Sequence, residues 1–374
     1  MNILYISKLS GNLWAGPNNS VPAQIRAQSA IDNVFWYNLN EIRRDEWLEN
    51  GLHCYNLTDY PSGRLNDLPT PFNKPDIAIV EECYCYPFCK MIDDLYYANV
   101  PYIIIPRSTL TKQAQAHKRL KKMIGNILYF NRMIKRSWAI QYLTVEEQAE
   151  SVGRWKKASF VISNGIAMVN KPHGEFSKQG IRATYVGRVE VYQKGLDLLI
   201  DAIGDLQNDL REAGFVLSLY GPNRDGAYEA LQKQAQERGV TDLVTFNDSI
   251  FGEDKQNLLL NSDLFVMTSR FEGHPMGLIE ALACGVPCVA TLGTNIIDKI
   301  DEYDAGWTAQ NDLESIKAAL SKMLKEKDFA EKSQNARRLA ELYSWDKIAS
   351  NSHDMYVKIL SEYDLQKRGL HEKN

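Results

Sequence analysis

The chain has 374 residues, 44% hydrophobic and 24% charged, which excludes global disorder and fibrous repeats and leaves room for two domains at roughly 150 residues each. Forty-three Lys and Arg stand against 47 Asp and Glu, and a net charge of -4 gives no electrostatic footprint for nucleic acid. The opening Met1-Asn2-Ile3-Leu4-Tyr5-Ile6-Ser7-Lys8 lacks a basic leader and a long apolar run, and no stretch approaches the ~18 apolar residues of a membrane span. The expected location is the cytosol.

In chain order, short apolar runs alternate with longer helical periods, the pattern of parallel α/β layers. The first half predicts strands at Asn2–Ser7, Asn33–Trp36, Ile77–Glu81, Tyr102–Ile105, Ala139–Leu143 and Ser159–Ile162. After the first strand comes Gly11-x4-Gly16, but Pro17-Asn18 replaces the Lys-Ser/Thr of a P-loop. Cys83, Cys85 and Cys89 lie close together without zinc-site spacing and without a following knuckle, so reduced, partly buried thiols are expected and no metal. From 107 to 145 there are nine Lys or Arg and no Asp or Glu, within an otherwise acidic chain. Ala116, Leu120, Met123, Ile127, Ile134 and Trp138 form one apolar stripe there, with most charges opposite and Gly125 a candidate break. That run predicts a docking surface for anionic lipid headgroups or a lipid-diphosphate acceptor.

Asn164-Gly165 is a turn signal, and the aperiodic stretch to Gly180 separates the halves. The expected domains are 1–178, completed by a C-terminal helix 350–374, and 179–349. The second half restarts with strands at Ala183–Val186, Phe215–Tyr220, Val244–Phe246, Leu264–Thr268 and Pro287–Thr291. Amphipathic stretches at Gly195–Leu206, Glu229–Arg238 and Leu313–Lys325 read as helices. Two doubly wound domains facing across a cleft follow from this order, with ligands beyond the carboxyl ends of the strands. Ser269-Arg-Phe-Glu-Gly-His-Pro-Met-Gly-Leu-Ile-Glu280 runs from a strand through a Gly-bearing loop into a helix. Gly273 and Gly277 let backbone approach a ligand, and the amides of Met276, Gly277 and Leu278 at the helix start favour a phosphate. Glu272 and Glu280 suit hydroxyl-rich partners.

This segment resembles the Glu-x7-Glu motif of retaining glycosyltransferases of family 4 (glycosyltransferase group 1), which have the GT-B fold of two Rossmann-like domains. Tyr185-Val-Gly-Arg-Val-Glu-Val-Tyr-Gln-Lys-Gly195 is similar to the family's Gly-Arg…Lys-Gly element. Ser163-Asn-Gly-Ile166 resembles its interdomain turn, and Ser344-Trp-Asp-Lys-Ile348 with Tyr356 its closing helix. The resemblance implies that Arg188 and Lys194 clamp a donor diphosphate, Glu280 holds the ribose and Glu272 the sugar hydroxyls. The backbone from Gly273 through His274 to Leu278 would orient sugar and phosphate. Gly16 would line the cleft from the first domain, although Ala15-Gly16-Pro17 departs from the family's glycine pair. Pro106-Arg107-Ser108 resembles a Pro-Arg-Gly variant of the strand end that many relatives follow with His, so Arg107 is a candidate to face acceptor or diphosphate.

The chain has no Asp-x-Asp, and with Arg188, Lys194 and a helix N-terminus supplying positive potential no metal or other cofactor is expected. The function implied is transfer of a sugar from a nucleotide-sugar, UDP-linked, to a hydroxyl of a glycan or lipid-linked glycan in cell-surface polysaccharide synthesis. Two alternatives stay open. One is a GT-B UDP-sugar 2-epimerase, and the other a non-catalytic sugar-nucleotide-binding scaffold. Lys194 and Glu280 are both expected to be at least partly exposed.

Overall fold

The computed structural model describes residues 1–371 other than 13–15, 49–50, 117–118, 224–225 and 273; of 113, 152 and 367–371 it describes the backbone only. Two compact units result, Met1–Gly165 with Trp345–Asn374, and Ile166–Ser344. Each is a parallel sheet with helices between successive strands.

The first unit has strands β1 (Asn2–Ser7), β2 (Asn33–Asn38), β3 (Cys54–Asn56), β4 (Ile77–Glu81), β5 (Tyr102–Ile105), β6 (Ala139–Tyr142) and β7 (Ser159–Val161), in the order β3-β2-β1-β4-β5-β6-β7. The second has β8 (Ile181–Val186), β9 (Phe215–Tyr220), β10 (Val244–Asn247), β11 (Leu264–Met267), β12 (Cys288–Thr291) and β13 (Gly306–Ala309), ordered β10-β9-β8-β11-β12-β13. Central strands such as Ile77-Ala-Ile-Val-Glu81 and Leu264-Phe-Val-Met267 are buried along their whole length. That is why they read as continuous apolar runs: helices cover both faces of a parallel sheet. Strand order reverses between β1 and β4 and between β8 and β11, so each sheet opens a crevice at the carboxyl ends of those pairs.

β3 and β13 are absent from the sequence reading. Cys54-Tyr-Asn56 is an edge strand of three residues, and Gly306-Trp-Thr-Ala309 begins on glycine, so neither presents an apolar run of strand length. The predicted helices stand at Leu196–Asp205, Ala227–Glu237 and Leu313–Glu326.

The unit boundary lies at Gly165/Ile166 rather than 178/179, because residues 166–178 are pinned to the second unit. The amide of Ile166 donates to Tyr343 O (2.8 Å), and the His173 ring bridges Gly174 O and Ser262 O at 2.6 and 2.8 Å. Asp263 accepts from the Ser177 amide (2.8 Å) and from the amide and guanidinium of Arg182. The return boundary lies at Ser344/Trp345, and the helix Trp345–His371 packs on Pro17–Ser29 of the first unit. Tyr356 anchors it, fully buried, with its hydroxyl donating to Gln141 Oε1 at 3.2 Å.

The basic run folds as Lys112–Ala116, Arg119–Gly125, a π-helical turn Asn126–Phe130 and Asn131–Arg136. Gly125 holds helical angles and makes no break. The apolar stripe is not one face against the core: Ile134 is buried, whereas Leu120, Met123 and Ile127 point to solvent. Among the described residues no helix is long and apolar enough to cross a membrane.

Candidate active site

The second unit's crevice is built by the loops after β8 and β11. Gly195 closes the first loop at φ +61°, and a Cβ there would lie 2.0 Å from Thr268 O, so only glycine lets the two loops meet. Thr268 Oγ1 donates to Gly195 O at 3.0 Å and seals the contact. Lys194 is thereby delivered to the β11 loop, where its Nζ donates to Glu272 Oε1 at 2.6 Å. Both side chains are only 9% exposed. Ser269 Oγ donates to the same oxygen (2.6 Å), and Asn295 Nδ2 holds the Glu272 carbonyl at 2.6 Å.

A strut fixes one loop against the other. Arg270 forks onto both oxygens of Asp197 at 2.7 Å, donates to Tyr192 O at 2.7 Å, and stacks 4.5 Å from the Tyr192 ring centre. Bidentate geometry with stacking makes this a well-defined Arg pair rather than a loose surface contact. Arg188, by contrast, is exposed, and among the described residues no hydrogen bond or ion pair holds its guanidinium. Its carbonyl accepts from Tyr185 at 2.8 Å. Burial pushes the Tyr185 hydroxyl up, the Glu272 charge adds to this and Arg188 opposes it, so that phenol stays neutral between the two.

The helix Met276–Ala283 starts against β8. A Cβ on Gly277 would lie 2.6 Å from Val186 O, so this glycine serves helix–strand packing. The sequence reading of free amides here needs correction at two positions. Met276 N donates to His274 O (2.9 Å) and Leu278 N to Pro275 O (3.0 Å), because the turn closes on itself before the helix begins. Leu278 is buried, and the His274 ring centre lies 6.0 Å from that of Tyr343. Glu280 is one-third exposed and paired with Lys255 of the helix Gly252–Leu260 at 2.8 Å. Gly273 lies outside the described residues.

In the first unit, Gly16 precedes the helix Pro17–Ser29 beyond the carboxyl end of β1. Arg107 lies after β5, 5% exposed, with Nε on Glu81 Oε2 at 2.8 Å. Its other nitrogens donate to Ser20, Asn164 and Gln24 at 3.0, 3.1 and 2.8 Å. Burial raises the Glu81 carboxyl and Arg107 pulls it back. Arg107 and the following Ser108 both hold positive φ, at +49° and +65°, a strained strand end kept by these bonds.

With this geometry in place, residues 170–340 match the glycosyl transferases group 1 family. They are a glycosyltransferase group 1 domain. Relatives include the mannosylfructose-phosphate synthase of Agrobacterium fabrum, 30% identical over 46% of this chain and 40% of that protein. The D-inositol 3-phosphate glycosyltransferase of Salinispora arenicola is 29% identical over 59% of this chain and 51% of its own. The chain thus spans about half or less of the length of the curated relatives it matches. The Anabaena HepE structure in complex with UDP and glucose shares the whole two-unit fold, with TM-score 0.64 and 15% identity over 96% of this chain and all of that one.

Within the glycosyltransferase domain, sequence reasoning passed over Arg270, Ser269, Asn295 and Lys255. Arg270 and Ser269 stand inside the motif, and a cation directly after a strand at a switch point is a usable signal. Asn295 and Lys255 carry no local signal, since only the packing of distant loops brings them to Glu272 and Glu280.

Proposed function

We propose that this chain is a retaining glycosyltransferase of family 4 that moves a sugar from a nucleotide-sugar, UDP-linked, to a hydroxyl of a glycan or lipid-linked glycan at a membrane surface. The observation that carries this reading is the Lys194–Glu272 pair held at the β8/β11 crevice beside Arg188, which is unpaired among the described residues. Lys194 has donors left over after Glu272, and Arg188 has all of its own, so together they can meet a diphosphate. HepE, of the same fold, holds UDP and glucose, which supports the choice of nucleotide.

In this reading Glu272 accepts from hydroxyls of the transferred sugar, and Ser269 and Asn295 keep it in place. Glu280 accepts from the ribose, oriented by Lys255. The backbone from Gly273 through His274 to Leu278 follows the donor, with Gly277 drawing the helix start close. Arg107, with four of its five N–H donors spent on Glu81, Ser20, Asn164 and Gln24, positions the β5 end rather than touching phosphate. The bond from the sugar's anomeric carbon to phosphate breaks, the acceptor oxygen takes that carbon on the same face, and the departing phosphate oxygen removes the acceptor proton. Lys194 and Arg188 stabilise the charge that grows on the leaving group, with no metal required.

The test measures nucleotide release from UDP-, GDP- and ADP-sugars with and without glycan acceptors, with NMR of the product's anomeric configuration. Release that depends on acceptor, with retention, is expected. Conversion of a UDP-sugar to its 2-epimer without acceptor, or tight binding with no turnover on any acceptor, overturns the reading.

A further inference from the structure

The helix Arg119–Gly125 and its π-turn present apolar side chains on two sides. Tyr129 and Phe130 face the core and are buried. Leu120, Met123, Ile124, Ile127 and Leu128 recur at i, i+3, i+4, i+7 and i+8, the spacing of a stripe that ordinarily meets a core. Here they are 45–72% exposed. Phe88, 66% exposed and with its ring 5.4 Å from that of Tyr129, lies next to the same turn. A contiguous apolar face of this kind marks an interaction site rather than ordinary surface.

The charge around the stripe selects its partner. A cavity of about 420 Å³ is lined by Lys135, Arg154, Lys156 and Lys157 together with Asn131 and Trp155. Arg154 also lines a neighbouring cavity with Lys112 and Arg119, which joins the basic groups into one belt along the helical segment. Not every base is available. Asp93 takes Arg136 at 2.8 Å and Arg132 at 3.8 Å, Lys122 donates to Ala114 O, and Glu150 sits on the rim of the second cavity. Arg119, Lys121, Lys135, Arg154 and Lys156 remain exposed. A second copy would set the same positive belt against itself, whereas an anionic bilayer offers phosphate to the belt and acyl chains to the stripe.

We infer that this face docks the protein on an anionic lipid bilayer. Leu120, Met123, Ile124, Ile127 and Leu128 enter the boundary between headgroups and acyl chains, and the Lys135–Arg154–Lys156 cavity takes a lipid phosphate. The inference deepens the membrane-side acceptor in the proposed function, yet its test reads lipid binding alone, so either can fail without the other.

The full chain is sedimented with vesicles of phosphatidylcholine and of phosphatidylcholine mixed with phosphatidylglycerol. Binding to the mixed vesicles only, weakening as salt rises, is expected. Leu120→Ser with Ile127→Ser and Leu128→Ser lowers that binding by about tenfold or more, from the apolar area withdrawn. Lys135→Gln with Arg154→Gln lowers it by roughly fivefold per base and flattens the salt dependence. The single Leu120→Glu variant gives the same direction from one position that is 72% exposed. Nucleotide release on a soluble acceptor stays unchanged in all of them. Equal binding to both vesicle types, wild-type binding by the apolar variants, or a dimer in solution that the apolar variants dissociate would each overturn the inference, the last by assigning the face to self-association.

Discussion

Each unit sets a cation against a carboxylate near the carboxyl ends of its central strands, and the surroundings of the two pairs differ. In the first, Arg107 meets Glu81 and spends three of its four remaining donors on Ser20, Gln24 and Asn164. In the second, among the described residues Lys194 meets Glu272 alone and the neighbouring Arg188 has no partner. Burial is similar, 5% exposure for Arg107 and 9% for Lys194, so depth does not separate them. Spare donors do. A buried guanidinium with four of five donors spent holds a strained strand end in place, whereas an ammonium with two donors to spare, beside a guanidinium unpaired among the described residues, is poised for an incoming anion.

The largest effect expected from this contrast is on stability. Arg107→Met strands Glu81 in the core and should cost about 3–5 kcal/mol, read by urea denaturation, with donor KM unchanged in the folded fraction. Adding Glu81→Gln should recover most of that loss. An Arg107→Met protein of wild-type stability that had lost transfer would reverse the contrast and place Arg107 among the reacting groups.

Lys194→Ala should lower kcat by roughly 10²–10³-fold at saturating donor, since it removes charge from the leaving group. The sequence predicts at least partial exposure here, and only 9% of the Lys194 side chain is exposed, so the change also leaves Glu272 buried with Ser269 as its remaining side-chain partner, at about 1–3 kcal/mol. Adding Glu272→Gln should restore stability without restoring kcat. A wild-type kcat in Lys194→Ala would remove the diphosphate clamp from the proposal.

A smaller effect tests what fastens the second unit's leading segment. Burial raises the Asp263 carboxyl, but the Arg182 guanidinium and the amides of Arg182 and Ser177 outweigh it and hold the group below the usual carboxylate range. A depressed folded value means that its stabilisation is present above the unfolded pKa of ~3.9 and is lost as pH falls through the folded value. Asp263→Asn should therefore flatten the acid limb of the thermal-stability profile and lower neutral-pH stability by about 1–3 kcal/mol. An unchanged acid limb would show that this pair contributes nothing measurable.

The smallest effect belongs to Glu280→Gln. A ribose contact made equally in ground and transition states should raise donor KM by roughly tenfold and leave kcat alone. Lys255→Met, acting through Glu280, should shift KM the same way by less. A fall in kcat with constant KM would move Glu280 from the ribose to the reacting sugar.

The sequence by itself determined the strand–helix alternation, eleven of the thirteen strands among the described residues and the places of Arg188, Lys194, Glu272 and Glu280 after their strands or on the following helix. These are local properties, carried by continuous apolar runs, by 3.6-residue periods and by glycines where chains meet. It did not reveal the edge strands Cys54–Asn56 and Gly306–Ala309, whose pairing comes from neighbours and not from their own residues. Tertiary structure alone decided that Lys194 is buried on Glu272, that Arg270 and Asn295 hold the loop, and that Arg107 is buried with four of its five donors bonded. It also turned Leu120 and Ile127 outward from a stripe whose spacing suits a core. The physical reason is one of range: periodicity records which residues share a face of a helix or strand, and only packing between elements far apart in sequence decides what that face, or a charge at its end, meets.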